Sequence, residues 1–187
     1  MPQERLKKLN PNLALTPGKV IHETPLYQLI QYTPTTDEVL EMPVVIFPPW
    51  INRFYILDLT PEKSFVRWCV DQGVSLFMVS WKSADESIAD ATLDDYVLNG
   101  QVDAIDTIRD LLDVKSVHAI GYCVAGTTLA ATLAYLQAKQ QQSKVSSATF
   151  LTAQVDFEDP GDLKMFVGDD VRERSHRGAI GHVEAVS

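Results

Sequence analysis

The 187-residue sequence predicts an α/β protein built on a mostly parallel sheet. Three observations carry this expectation. Short apolar runs alternate with longer helix-like runs, the pattern of strands joined by crossover helices. Residues 44–47, 75–81 and 117–121 are almost continuously apolar, as strands covered on both faces are. The runs also break at residues with a physical reason to break them, such as Pro48-Pro49 and Gly73.

In chain order, residues 20–23 and 26–33 read as two strands around Thr24-Pro25, with Leu26, Ile30 and Tyr32 on one face by period-two geometry. Residues 44–47 form a buried strand that stops at two prolines, which cannot donate to a ladder. Thr60-Pro61-Glu62 reads as a helix start, with a cap, a proline at the first position and an acid in the first turn. That helix is expected to end at Gly73. Residues 75–81 are a second buried strand. Residues 94–112 are expected to be helical, with Leu98, Val102, Ile105 and Leu112 on one stripe and Asp94-Asp95 at the cap. A third strand at 117–121 leads to an Ala-rich helix over 127–139 with Leu129, Leu133 and Leu136 inward, and 148–152 is a fourth strand. The expected organisation is a lead at 1–14, one α/β domain over 15–170, and an atypical charged tail at 171–187 that lacks either period and reads as disordered or foreign.

Composition narrows the function classes. With 45% hydrophobic and 22% charged residues the chain is ordinary for a soluble globular protein. It has no apolar run near the ~20 residues of a membrane helix and no signal-peptide core at the N-terminus, so a cytoplasmic location is expected. Cys69 and Cys123 are too few for a zinc ribbon and are expected as reduced thiols. A net charge of −9 argues against a general nucleic-acid surface while leaving room for a local basic site for an anionic small molecule such as coenzyme A.

The strongest local signal is Gly121-Tyr122-Cys123-Val124-Ala125-Gly126-Thr127, which follows an apolar run and opens a helical one. Strand, sharp turn and helix are the context of a nucleophile elbow. Small residues permit the turn and project Cys123 from the top of the sheet, where the helix start favours negative charge on the sulfur. The Val124 amide would then face an oxyanion formed on an attacked carbonyl. A lone free cysteine is more often a small buried hydrophobe; the elbow context favours the nucleophile here. Ala125 stands where such elbows carry a second glycine, with Gly126 after it, so crowding is expected at Ala125. The segment Phe47-Pro48-Pro49-Trp50-Ile51-Asn52-Arg53 leaves the end of an earlier strand, where such folds supply the other oxyanion donor, and the Ile51 amide is the candidate. A rigid proline-fixed loop packing an aromatic explains the same residues equally well. His22 and His118 read as structural, His176 and His182 fall in the charged tail, Cys69 reads as core, and Asp156, Glu158 and Asp159 as a solvated acidic loop.

Pro48-Pro49-Trp50-Ile51-Asn52, Tyr55-Ile56-Leu57-Asp58-Leu59, Val79-Ser80-Trp81 and the Cys123 elbow resemble, in order, the motifs of the class I polyhydroxyalkanoate synthases, and Leu151-Thr152 with Val155-Asp156-Phe157 is similar to the next family segment. The resemblance runs from about residue 15 to 168. It implies an α/β-hydrolase-like fold and an acyltransferase that polymerises (R)-3-hydroxyacyl-CoA, commonly 3-hydroxybutyryl-CoA, to polyester. It implies Cys123 as the acyl carrier, no metal or other cofactor, a homodimer, and association with polyester granules and their proteins. It also implies that the later strands bearing the catalytic Asp and His, and the cap, are absent from this chain, leaving it inactive alone. Lys82-Ser83 departs from the family's frequent Arg-Asn. Two other readings stand beside this one: an elbow-type cysteine hydrolase or amidotransferase, for which His182-Val183-Glu184 is the only His-x-Glu, and a non-catalytic segment that binds a full-length synthase.

Overall fold

The computed structural model describes residues 16–158. Its centre is a six-stranded sheet of β1 (Gly18–Glu23), β2 (Tyr27–Tyr32), β3 (Val44–Phe47), β6 (Leu76–Trp81), β7 (Val117–Tyr122) and β8 (Val145–Leu151), in the order β1-β2-β6-β3-β7-β8. β4 (Asp58–Thr60) and β5 (Lys63–Ser64) form a separate small hairpin. β1, β2 and β6 pair antiparallel, whereas β6, β3, β7 and β8 run parallel. Parallel neighbours require crossovers. These are supplied by α1 (Phe65–Asp71), by a long helix made of α2 (Leu93–Asp95), a π-helical segment (Tyr96–Val102) and α3 (Asp103–Leu112), and by α4 (Val124–Ala138).

Each face of the sheet has its own apolar cluster. Val45, Phe47, Phe77, Val79, Val117 and Ala119 point to the long helix and α4, where Ile105, Ile108 and Leu129 meet them. Ile30, Tyr32, Ile46, Leu76 and Met78 point to the other side, against Val66, Cys69 and Val70 of α1. β6 is buried at all six positions, which explains why its sequence shows no alternation. Among the described residues β8 is an edge strand, paired only with β7.

Three local expectations are corrected. Leu26 precedes β2 and packs with the cluster opposite to Ile30 and Tyr32, because the alternation begins at Tyr27. The helix expected at Thr60 begins at Phe65. Ser64 is its cap, its hydroxyl accepting the Arg67 N–H at 2.8 Å, while Pro61-Glu62 turns the β4–β5 hairpin. The competing force is Asp58, a buried carboxylate that accepts from the Thr16 amide and from the hydroxyls of Thr16 and Ser64 at 2.6–3.1 Å; those bonds hold residues 58–64 extended. The stripe through Leu98 is displaced too. Leu98 is 39% exposed, and Val97, Gly100, Gln101, Ala104, Ile105 and Ile108 face inward, because the wider π turn shifts the phase of the helix. The expected lead at 1–14 and tail at 171–187 lie outside the described residues.

Candidate active site

β7 ends at Tyr122 and α4 begins at Val124, so the chain reverses within one residue, Cys123, at φ 55° and ψ −129°. A non-glycine residue in such a conformation costs about 1–3 kcal/mol and persists only where its surroundings over-determine it. Here they do. The Cys123 N–H donates to the Leu151 carbonyl at the end of β8 at 2.8 Å, and the Cys123 carbonyl accepts the Gly126 N–H at 2.8 Å. The Thr127 hydroxyl donates to the Gln154 carbonyl at 2.6 Å, lacing the segment after β8 to the first turn of α4.

Strand and helix cross without room for side chains. A Cβ on Gly121 would lie 2.6 Å from the Gly126 Cα; one on Gly126 would lie 2.4 Å from the Ala153 Cβ and 2.9 Å from the Gly121 carbonyl oxygen. The crowded position is therefore Gly126, one residue beyond the expected one. Ala125 is fully buried with its methyl group in the core, where it fits. The doubtful alanine in the motif is thus no obstacle to a tight elbow.

The Cys123 thiol is free and half-buried. Val124 is the first residue of α4, so its N–H has no intrahelical acceptor. β3 and β7 are parallel neighbours with Phe47 opposite Gly121, which delivers the Pro48–Arg53 loop to the same sheet edge as Cys123. Ile51 lies at the turn of this loop with its side chain 70% exposed, and the Asn52 N–H closes the turn on the Pro49 carbonyl at 3.1 Å. The loop is fastened on both sides. The Trp81 indole donates to the Pro48 carbonyl at 2.7 Å, and the Trp50 indole reaches the Thr128 hydroxyl on α4 at 3.5 Å. Trp50 also stacks on Tyr96 at 5.1 Å, so the expected loop that packs an aromatic is present as well.

Charge at this edge is local and mixed. The Arg53 guanidinium donates to the Ser83 hydroxyl, and Lys82 pairs with Asp85 at 3.4 Å. The Ser87 hydroxyl holds the Asp85 carboxyl below the usual range. Neither described histidine serves the thiol. His22 lies 3.3 Å from the Asp103 carboxylate. His118 contacts the Ser147 hydroxyl at 2.7 Å, five residues upstream of Cys123 on an extended strand, a span of about 16 Å. Cys69 is core, as expected, and burial pushes its thiol up to about 11. Asp95 completes a capping box with Thr92. Asp159, His176, His182 and Glu184 lie outside the described residues.

One residue that sequence reasoning passed over stands out. Gln101, fully buried, donates from Nε2 to the Ala125 carbonyl at 3.0 Å and accepts from the Thr132 hydroxyl at 2.7 Å. Three residues after Leu98 and four before Ile105, it falls on the expected apolar stripe, and a polar residue at such a position was the signal that could have marked it.

Residues 2–69 match the family described as the poly-beta-hydroxybutyrate polymerase (PhaC) N-terminus. The chain is 47% identical over 175 residues to the poly(3-hydroxyalkanoate) polymerase subunit PhaC of Rhizobium etli, covering 92% of this chain and 27% of that protein. It is 41% identical over 173 residues to the subunit of the same name from Cupriavidus necator, covering 91% and 29%. The chain therefore spans under a third of the length of these relatives. In structure it is similar to a fungal esterase of Rhizomucor miehei, at a TM-score of 0.52 and 16% identity over 81% of this chain and 49% of the esterase; at that identity the likeness speaks for the fold alone. The mostly parallel sheet and its flanking helices are those of part of an α/β-hydrolase fold.

Proposed function

Since this chain belongs to the poly(3-hydroxyalkanoate) polymerase family, we propose that it is the segment that carries the acyl group in an acyltransferase polymerising (R)-3-hydroxyacyl-CoA, with Cys123 as the nucleophile. The observation that carries this reading is the Cys123 backbone: a positive-φ residue at the C-terminal edge of a parallel strand, with a half-buried sulfur and a helix start beside it.

The Cys123 thiolate attacks the carbonyl carbon of the substrate thioester. The oxyanion that forms is held by the Val124 N–H, and by the Ile51 N–H from the loop after β3. Collapse breaks the bond to the coenzyme A sulfur, which leaves as thiolate, and the acyl group remains on Cys123 as a new thioester. Thiolate is both attacking and leaving group, so the exchange is near-balanced in energy. In the next step the hydroxyl of another acyl unit attacks the Cys123 thioester, losing its proton, and the growing ester is transferred. The family resemblance implies an Asp and a His that assist these proton transfers. Arg53 supplies a cation at the same sheet edge for the phosphates of coenzyme A. The cytoplasm, at the surface of polyester granules, is the location proposed with this activity, and a homodimer and granule proteins are the proposed partners. Among the described residues no helix is long and apolar enough to cross a membrane.

The test is direct. Incubated with (R)-3-hydroxybutyryl-CoA at pH 8, the chain should gain one 3-hydroxybutyryl mass on Cys123 and release one equivalent of coenzyme A; Cys123→Ala should do neither. A wild-type chain that stays unmodified, or one modified equally well after Cys123→Ala, refutes the reading.

A further inference from the structure

The structure links Gln101, from deep in the core, to the amide proposed to face the oxyanion. The Gln101 side-chain amide donates to the Ala125 carbonyl at 3.0 Å. That carbonyl shares its peptide group with the Gly126 N–H, which donates to the Cys123 carbonyl at 2.8 Å. The Cys123 carbonyl in turn shares its peptide group with the Val124 N–H. In a trans peptide the C=O and N–H point in opposite directions. The result is a single file of donors and acceptors: Gln101 amide, Ala125–Gly126 peptide, Cys123–Val124 peptide, and then whatever accepts from Val124.

We infer that Gln101 is a positioning residue for acyl transfer, acting through two peptide groups to aim and polarise the Val124 N–H toward the oxyanion. The inference rests on the assignment of Cys123 as nucleophile. Three features support it. Gln101 cannot be reversed end for end, since its oxygen would then face the Ala125 oxygen; in the orientation present, that oxygen accepts from the Thr132 hydroxyl instead. Hydrogen bonds in file strengthen one another in a low-dielectric core, and Gln101, Ala125 and Gly126 are all buried. The file also starts in the π-helical segment, the kind of irregular turn that is frequent at functional sites. That segment touches the other proposed donor loop as well: Tyr96 stacks on Trp50, and Gly100 admits the Trp81 ring to within 2.8 Å of where a Cβ would stand, while Trp81 holds the Pro48 carbonyl. One turn of helix therefore reaches both sides of the candidate oxyanion site.

Gln101→Met keeps the volume and removes the donor. It strands nothing, because the Thr132 hydroxyl also reaches the Thr128 carbonyl at 3.1 Å and the Ala125 carbonyl retains its helical partner. Two reactions of Cys123 are compared in the 187-residue chain: acylation by (R)-3-hydroxybutyryl-CoA, which passes through an oxyanion, and alkylation by iodoacetamide at its methylene carbon, which does not. Gln101→Met should slow acylation about tenfold, less than outright loss of an oxyanion donor, and leave the alkylation rate and melting cooperativity unchanged. Thr132→Val, which takes the hydroxyl donor from the Gln101 oxygen and so weakens the file at its start, should give a smaller loss in the same direction, and Thr132→Ser should restore the wild-type rate. Equal acylation by wild type, Gln101→Met and Thr132→Val overturns this inference and leaves the nucleophile assignment standing. So does a parallel fall in both reactions, which marks a purely structural role. A wild-type thiol that is alkylated but never acylated overturns both.

Discussion

Gly126 and Ala125 make a residue-scale test of the elbow. In the sequence the two look interchangeable, both small and both after Cys123; the structure separates them. Gly126→Ala forces a methyl group to 2.4 Å from the Ala153 Cβ and 2.9 Å from the Gly121 carbonyl oxygen. It is expected to destabilise the chain by about 1–3 kcal/mol, as overpacking does, and to slow acylation of Cys123 by shifting the turn. Ala125→Gly, which would restore the more familiar motif, should bring no gain in acylation and cost about 0.5–1 kcal/mol through helix propensity and lost packing. Chemical denaturation and intact-mass kinetics on both variants decide it. A harmless Gly126→Ala beside a damaging Ala125→Gly would mean that the crossing lies at 125 after all. The position of Cys123 at the turn was legible because strand, turn and helix signals converge on a short stretch. The exact point of closest approach was not, since it depends on where β8 and residues 151–154 come to rest.

At the scale of elements, the buried Asp58 decides where α1 begins. Read as sequence, Thr60-Pro61-Glu62 carries every feature of a helix start, and local preference alone would begin one there. The tertiary structure places the Asp58 carboxylate out of water and satisfies it with Thr16 and Ser64, so the chain stays extended through Ser64. Asp58→Ala is expected to cost about 2–3 kcal/mol, because it strands buried donors. Ser64→Ala removes a cap and one bond to Asp58 and should cost about 1–2 kcal/mol. As the two share a contact, the double variant should lose less than the sum. Strict additivity in urea melts would mean that the pair does not act as one unit. The π turn in the long helix is a second case of the same kind. Period alone gave the helix, but its phase follows from the fit of Gly100 under Trp81 and of Gln101 against α4, contacts more than 15 residues away in sequence.

For the whole molecule, three buried weak acids set an alkaline limit. Burial pushes the Cys69 thiol up to about 11. Burial also raises the Tyr27 and Tyr32 phenols, with the Asp103 hydrogen bond adding to the first and the Asp58 charge to the second. A folded-state pKa above the unfolded value means that the unfolded chain gives up its proton first. The stability these groups carry is therefore fully present below about pH 9 and is lost as pH rises toward 11 and beyond. The melting temperature should fall steadily from pH 9 to 11, and Cys69→Ala should flatten the first part of that fall; a flat wild-type profile across this range would contradict the burial of these side chains. The sequence by itself determined the class of the fold, the four parallel strands and the cysteine at the elbow, because hydrophobic period, breaker residues and a strand–turn–helix motif are local properties that survive without knowledge of neighbours. Only the tertiary structure decided that Gly126 rather than Ala125 marks the crossing, that α1 starts after Ser64, and that Gln101 reaches the first turn of α4. Each of these depends on two distant segments competing for the same space or the same hydrogen-bond partner, and that competition is resolved only when the chain is folded.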